Sequence, residues 1–234
     1  MSSVFSDAMS ASKAASRMRV PLSAAPKVTK SERTRAAILD AALEFLWTRP
    51  FREMTVNALM AETQLSRSAF YQYFQDVHEL MESLLGALKD DILTAARPWF
   101  LGVGDPVALL TSSLGGLVRI GYDKGPFVRA VADAATTDTR MERAWNMFLG
   151  EFDDAVADRI QADQAQDLIA PFDPRPVAIS LNRLDAYTFV DAFGQRPRRQ
   201  PEPVRLAVTR IWISTLYGSE WSENESSDLE RKAP

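Results

Sequence analysis

The sequence contains no cysteine and a single histidine, His78. Disulfides, thiolate metal sites and cysteine nucleophiles are therefore excluded, and a histidine base has one possible position. No Gly-rich phosphate loop and no metal-ligand spacing is present. Asp185 and Tyr187 could in principle exchange protons with a substrate, but nothing positions a nucleophile beside them. We therefore expect a protein that is not an enzyme, with no catalytic residue, no metal and no cofactor.

Long apolar runs are also missing, since no segment approaches the roughly 20 residues that a membrane span needs. The N-terminal residues 1–29 are rich in serine and alanine, carry several basic side chains and lack the apolar centre of a signal peptide. We expect a cytoplasmic protein without membrane contact. We also expect a disordered basic tail over 1–29 and a second disordered tail over 222–234.

Charge is unevenly distributed along the 234 residues. Residues 1–75 carry ten Lys or Arg and six Asp or Glu, whereas residues 76–234 carry 17 and 25. A basic beginning joined to an acidic body suits a protein that contacts DNA phosphates with one end only. The alternative is that these charges only keep the protein in solution.

Glycine is scarce and apolar residues recur at helical spacing, as at Ile38, Ala42 and Phe45. No alternating pattern of useful length predicts a strand. The sequence predicts an all-α fold of about nine helices, at roughly 31–49, 55–62, 66–74, 76–99, 106–122, 126–135, 139–163, 175–194 and 202–218. Predicted capping residues for the first four helices are Ser31, Thr55, Ser66 and Asp76.

Residues 55–74 form a candidate helix-turn-helix, with two short helices that meet at a tight turn around 63–65. Apolar side chains on one face can pack against the first helix, which leaves a polar row on the outside. Arginine and glutamine read base edges in a major groove, while hydroxyls and helix N-termini hold phosphates. The predicted DNA contacts are Thr55, Ser66, Arg67, Ser68, Tyr71, Gln72 and Tyr73. The alternative is that the tyrosines pack and Arg67 is an ordinary solvated charge.

The frame from Glu32 to Leu80 resembles the DNA-binding domain of the TetR family. The matching motifs are Thr55-Val56, Thr63-Gln64-Leu65-Ser66, Phe70-Tyr71-Gln72-Tyr73-Phe74 and Asp76-Val77-His78-Glu79. The resemblance implies a three-helix DNA-binding domain over 30–76 with its recognition helix at 66–74, followed by a helical effector-binding and dimerisation domain over 77–221. Gln64 replaces the usual turn glycine, so we expect a strained or altered turn. Val77 replaces a lysine that would grip phosphate.

Large aromatic residues are frequent in the C-terminal two-thirds of the chain. Each one alone is expected to be a core residue, but together they are typical of a helical bundle with an elongated apolar cavity. Asn182 and Asp185 share one face of an otherwise apolar helix. They are interpreted as a polar clamp for a ligand. The alternatives are a hydrogen-bonded structural pair, or a salt bridge from Asp185 to an arginine.

The blocks 144–148 and 177–218 resemble one branch of the same family, in which an apolar tunnel is anchored by two asparagines. The resemblance implies that Asn182 is the first asparagine and that Asp185 replaces the second, which suits a cationic or hydroxylated ligand or internal neutralisation. Leu110 and Leu117 stand where larger aromatics are usual, so a wider tunnel is expected. The predicted ligand-binding residues are Leu110, Leu117, Trp145, Phe148, Phe152, Asn182, Asp185, Phe189 and Trp212.

These observations predict a ligand-responsive transcriptional repressor. It would bind a palindromic operator in double-stranded DNA as a homodimer, joined through the last two helices, and a small apolar effector would release it. The alternative is a DNA-binding regulator without an effector, in which the aromatic domain is only a packed dimer scaffold.

Overall fold

Eight α-helices and one short 3-10 helix make up residues Thr29–Gly218, the part of the chain that the computed structural model describes. They are α1 (Lys30–Thr48), the 3-10 helix (Phe51–Glu53), α2 (Val56–Met60), α3 (Arg67–Tyr71), α4 (Val77–Leu101), α5 (Pro106–Ala134), α6 (Thr139–Gln164), α7 (Pro174–Phe193) and α8 (Pro201–Leu216). No strand occurs within these residues, which confirms the all-α prediction. Both predicted tails, apart from Thr29, lie outside the described residues. No helix of the described range is long and apolar enough to cross a membrane.

Backbone contacts divide the chain into two units after Arg33. In the first unit, Ser31 was predicted to cap α1, and this prediction is wrong. Thr29 performs that role, because its Oγ1 accepts the N–H of Glu32 at 3.1 Å and the Glu32 carboxylate accepts the N–H of Thr29 at 2.6 Å. The reciprocal pair satisfies two amide groups at the start of the helix, whereas Ser31 lies two residues further on, inside α1.

Within the second unit, side-chain caps fix the starts of the next helices as predicted. Thr55 accepts the N–H of Ala58 at 3.1 Å, and Ser66 accepts that of Ala69 at 3.2 Å. Asp76 accepts the N–H of Glu79 at 2.8 Å and opens α4. These bonds satisfy amides that have no partner inside the helix.

The helix α5 replaces two helices that were predicted at 106–122 and 126–135, so that the count is eight rather than nine. Pro126 was placed near a helix start, but it lies inside α5. Proline has no N–H, and it therefore leaves the carbonyl of Tyr122 without its usual partner. Arg198 donates from Nη1 to that carbonyl at 2.6 Å, which lets the helix continue through the proline.

One hydrophobic core joins the helix-turn-helix to the following helices. It contains Phe45, Leu59 and Phe70 together with Val131 of α5 and Met141 of α6. The packing is therefore continuous across residue 76, where the sequence predicted a domain boundary. The boundary stays a prediction about which residues bind DNA and which bind effector. The two regions nevertheless share one hydrophobic core.

Two glycines let α5 and α7 approach closely. A Cβ atom at Gly121 would lie 2.9 Å from the ring of Phe189, and one at Gly125 would lie 2.4 Å from the carbonyl oxygen of Phe193. Larger residues would force the helices apart. This close approach places Phe189 against α5, where both contribute to the cavity described below.

Candidate functional site

The turn between α2 and α3 is closed by a side chain. Thr63 Oγ1 donates to the carbonyl of Met60 at 3.0 Å and accepts the N–H of Leu65 at 3.1 Å. Within the described residues, the only non-glycine residue with positive φ is Asp167, so Gln64 avoids the left-handed region. The strain expected at Gln64 is therefore not present, because the threonine makes a turn that needs no glycine.

The outer face of α3 carries most of the residues predicted to contact DNA. Phe70 is buried and anchors the helix, whereas Tyr71 is 53% exposed. The other predicted contacts that are exposed are Thr55, Ser66, Arg67, Ser68 and Gln72. Tyr73 is half-buried and packs against the core that α3 shares with α1. The helix is also shorter than the predicted 66–74, since Gln72 caps its end and a turn carries the chain to Phe74.

A cavity lies among α4, α5, α6, α7 and α8. Its volume is about 100 Å³, well above the roughly 10–15 Å³ that one water needs. All nine residues predicted to bind ligand line it: Leu110, Leu117, Trp145, Phe148, Phe152, Asn182, Asp185, Phe189 and Trp212. The structure thus brings the predicted set together, and their contact with a ligand stays a prediction.

Aromatic rings form two walls of this cavity. Along α6, Phe148 stacks on Trp145 at 5.4 Å between ring centroids and meets Phe152 edge-on at 5.1 Å. Across from them, Trp212 meets Trp99 edge-on at 5.8 Å. The spacing of 145, 148 and 152 along one helix places these three side chains on the same face.

Asn182 is held by a neighbouring carboxylate rather than by Asp185. Its amide nitrogen donates to Asp153 Oδ1 at 2.9 Å, and Arg183 makes a two-pronged ion pair with the same carboxylate at 3.0 Å. Asp153 is buried, so these donors offset the loss of its hydration. The two polar residues predicted as a clamp therefore have separate partners. The sequence predicted no role for Asp153 or Arg183.

Asp185 has a single hydrogen-bond partner among the described residues. Its Oδ1 accepts the indole N–H of Trp212 at 3.1 Å, whereas Oδ2 has no partner. Burial raises the pKa of this carboxyl to about 7, and the hydrogen bond from Trp212 opposes the rise. The predicted alternative of an arginine salt bridge to Asp185 is not found within the described range. Tyr187 is 58% exposed, so it does not face the buried Asp185 as acid–base partner.

Comparison with known proteins gives two family matches that together span both regions. The description "Bacterial regulatory proteins, tetR family" matches residues 38–84, and "Transcriptional regulator EthR, C-terminal domain" matches residues 111–218. The chain belongs to the TetR family. It is therefore a DNA-binding transcriptional regulator, and the expectation that it is not an enzyme agrees with this assignment.

Individual proteins are similar to this chain in sequence or in fold. The HTH-type transcriptional regulator EthR of Mycolicibacterium smegmatis is 26% identical over 215 residues, covering 88% of this chain and 96% of that protein. Among solved structures, a TetR-family regulator from Syntrophomonas wolfei has a TM-score of 0.70 at 12% identity, with 79% of this chain and 95% of that one covered. The structure of AibR in complex with isovaleryl coenzyme A and operator DNA has a TM-score of 0.60 at 15% identity, with 80% and 100% covered.

In this TetR-family chain, polar side chains tie the start of α4 to the start of α6. Arg140 binds Glu82 with two hydrogen bonds of 2.7 and 2.8 Å and binds Asp76 at 2.8 Å. His78 Nε2 lies 2.6 Å from Asp138 Oδ2. The hydrogen bond with His78 lowers the pKa of Asp138, and that from Arg140 lowers the pKa of Glu82. His78 is thus partly buried in a structural pair, not a free solvated residue.

A second tie joins the loop between α7 and α8 to α1 of the DNA-binding region. The guanidinium groups of Arg196 and Arg198 lie over the ring of Trp47, at 4.6 and 5.0 Å from its centroid. Arg198 also lies 3.8 Å from the ring centroid of Tyr122. Nothing in the local sequence of 195–201 indicates which aromatic ring an arginine will contact.

Proposed function

We propose that this TetR-family protein is a repressor that binds a palindromic operator as a homodimer and leaves it when an apolar effector occupies the cavity. The observation that carries this proposal is the convergence of all nine predicted residues on one cavity. The walls of that cavity are formed by helices whose core continues into the DNA-binding region. A cytoplasmic location follows from the proposed DNA target.

The DNA part of the proposal rests on the capped, exposed face of α3. Two copies related by twofold symmetry would place their α3 helices about 34–36 Å apart or somewhat more, to enter successive major grooves. Arg67 is exposed there and can reach a base edge. Arg67→Ala should weaken operator binding by about 1–3 kcal/mol if it reads a base. Arg97→Ala removes the same charge from an exposed site on α4 and should leave affinity unchanged.

Gel-shift titration over genomic fragments tests this part. We expect one or a few fragments with an inverted repeat to bind far more tightly than the rest. Equal affinity for every fragment at moderate salt would contradict specific operator recognition.

Dimerisation is proposed through α7 and α8, which expose Tyr187 and Ile211. Ile213 of α8 is completely buried inside its own chain, so a charge at that position would report on folding instead. Ile211 is 40% exposed and is the better position. We expect Ile211→Glu to yield monomers in analytical sedimentation, because a charge replaces an apolar contact. Leu93→Glu, at a comparably exposed position on α4, should remain dimeric.

Effector control is proposed because α4 lines the cavity and also follows the recognition helix α3 in the chain. The cavity and α3 also border one common core. A ligand that favours one arrangement of the cavity helices over another would shift α4, whose first turn follows α3 directly. A ligand that enters the cavity has its apolar surface removed from water, which favours binding by about 25 cal/mol per Å². Asn182→Leu is not a clean probe, because it also removes a hydrogen bond from the buried Asp153.

Leu117→Phe is a sharper variant, since it adds bulk at the cavity wall without removing a polar partner. We expect it to keep operator binding and to lose effector response. Native mass spectrometry of the purified protein would reveal a retained ligand. A screen of apolar amphiphiles that gave neither a thermal shift nor release from operator DNA would contradict effector control and favour the dimer scaffold.

A further inference from the structure

Asp185 is a buried carboxylate in an apolar cavity with no positive charge near it. It is 5% exposed, and no lysine, arginine or histidine is among the described residues that line the cavity. Arg183, two positions away, is already paired with Asp153. Burying a charge without a counter-charge is costly, so this group needs a partner that the described chain does not supply.

Asp185 lines the cavity, and its second carboxyl oxygen, Oδ2, is buried without a partner among the described residues. Its Oδ1 is occupied by Trp212. A ligand that places a donor at Oδ2 would therefore complete a site that is half built. The carboxylate has already lost its hydration on folding, so only the ligand has hydration left to lose when the pair forms.

The aromatic walls favour the same class of ligand. Trp99, Trp145, Phe148 and Trp212 all line the cavity with Asp185. The faces of such rings carry negative potential and attract cations within about 6 Å. An ammonium group at Asp185 would meet a carboxylate and aromatic rings, whereas a carboxylic acid would meet like charge.

We propose that the cavity selects apolar molecules that carry a protonated amine, and that Asp185 binds the ammonium. This inference rests on the proposed effector cavity and gives its ligand a chemical class. The apolar body of the ligand fills the aromatic space, while the amide nitrogen of Asn182 is committed to Asp153. Burial, which raises the pKa of Asp185 to about 7, agrees with a carboxyl that lacks a counter-charge.

The test uses three probes of equal length: hexylamine, 1-hexanol and hexanoic acid. Their binding to the full-length protein is measured by isothermal titration calorimetry at pH 7.5. A charge-assisted hydrogen bond should make hexylamine bind at least about tenfold more tightly than 1-hexanol, with hexanoic acid weakest. Asp185→Asn keeps the shape and the acceptor for Trp212, and it should reduce the amine preference to within about twofold.

The matched control is Asp191→Asn, which removes the same charge from an exposed position of the same helix. It should keep the full amine preference, and this separates binding at Asp185 from general attraction of amines to an acidic protein. Asp185→Leu serves as a second variant, since an apolar residue suits the apolar walls if asparagine impairs folding. It too should lose the preference.

The outcomes separate the two proposals. If 1-hexanol binds as tightly as hexylamine, or if the preference survives both substitutions at Asp185, the amine inference is wrong and the effector cavity stands. If none of the three probes binds the wild-type protein at millimolar concentration, both the amine inference and the effector cavity are wrong.

Discussion

Asp153 and Asp185 are two buried carboxylates on facing helices, α6 and α7, and their surroundings are opposite. Asp153 is 2% exposed and accepts hydrogen bonds from Asn182 and from both terminal nitrogens of Arg183. Asp185 is similarly buried but accepts only one, from the indole of Trp212. The first carboxylate ties two helices together, whereas the second is left with an unused oxygen at a cavity wall.

The difference shows that burial alone does not decide what a charged side chain does. A buried carboxylate with complete partners stabilises the fold or costs little, and removing a partner exposes its full desolvation penalty. A buried carboxylate without them destabilises the empty protein and is available to a ligand. The following predictions test this contrast in order of expected effect.

Removing the partner of Asp153 should have the largest effect. Arg183→Met leaves a buried carboxylate with only the Asn182 amide, and we expect the free energy of unfolding to fall by about 3–4 kcal/mol. Urea unfolding at pH 7.5 measures the change. Arg175→Met, which removes the surface partner of Asp154 on the same helix, should change stability by less than about 0.5 kcal/mol. Equal losses in the two variants would mean that the ion pair of Asp153 carries no special weight.

Asp185→Asn should change how stability depends on pH. In the folded protein this carboxyl keeps its proton up to about pH 7, whereas in the unfolded chain it releases the proton near pH 4. The folded state therefore binds more protons than the unfolded chain between these pH values. As a result, the free energy of unfolding falls as the pH rises towards 7. Relative to wild type, Asp185→Asn should gain about 2–3 kcal/mol of stability between pH 5 and pH 8. Parallel stability curves for the two proteins would show that Asp185 is ionised throughout.

The hydrogen bond from Trp212 should hold the pKa of Asp185 down. Trp212→Phe removes this bond, so the pKa measured by carboxyl ¹³C NMR should rise above that of the wild type. We expect a stability loss of about 1–2 kcal/mol from the lost bond and lost packing. Trp145→Phe changes a ring of the same cavity without touching that bond, and it should leave the pKa where it was. A rise in both variants would point to a general change in the cavity.

The smallest effect is expected at the exposed carboxylate of α7. Asp191 pairs with Arg199 at 2.7 Å, and both side chains are about two-thirds exposed. Asp191→Asn should alter the free energy of unfolding by less than about 0.5 kcal/mol. A larger loss, measured by the same urea titration, would indicate that this exposed ion pair contributes as much to stability as a buried one.

The sequence was sufficient for several features that depend on neighbours along the chain, although it misplaced the cap of α1 and the end of α3. The caps at Thr55, Ser66 and Asp76 are decided within four residues, and the residues on one face of α6 follow from helical spacing. Family resemblance added Leu110, Asn182 and Trp212, which lie far apart in sequence yet line one cavity.

Partners that come from another helix could not be predicted in this way. The continuity of α5 through Pro126 depends on Arg198, which lies more than 70 residues further along the chain. The pairing of Asn182 with Asp153 likewise depends on how α6 faces α7. Sequence patterns predict which residues share one face of a helix, but they do not predict which atoms of another helix those residues contact.

The contacts of Arg198 have a mechanical consequence. At Tyr122 the helix α5 lacks its own hydrogen bond and relies on a guanidinium from a loop, one residue beyond cavity-lining Gly121. The same guanidinium lies over Trp47 of α1. Under the proposed effector control, a displacement of α5 at the cavity would reach the first helix of the DNA-binding region through this one side chain. The strength of transmission would then be set at a loop position that contacts neither the cavity nor α3, so it can be adjusted without altering what is bound at either end.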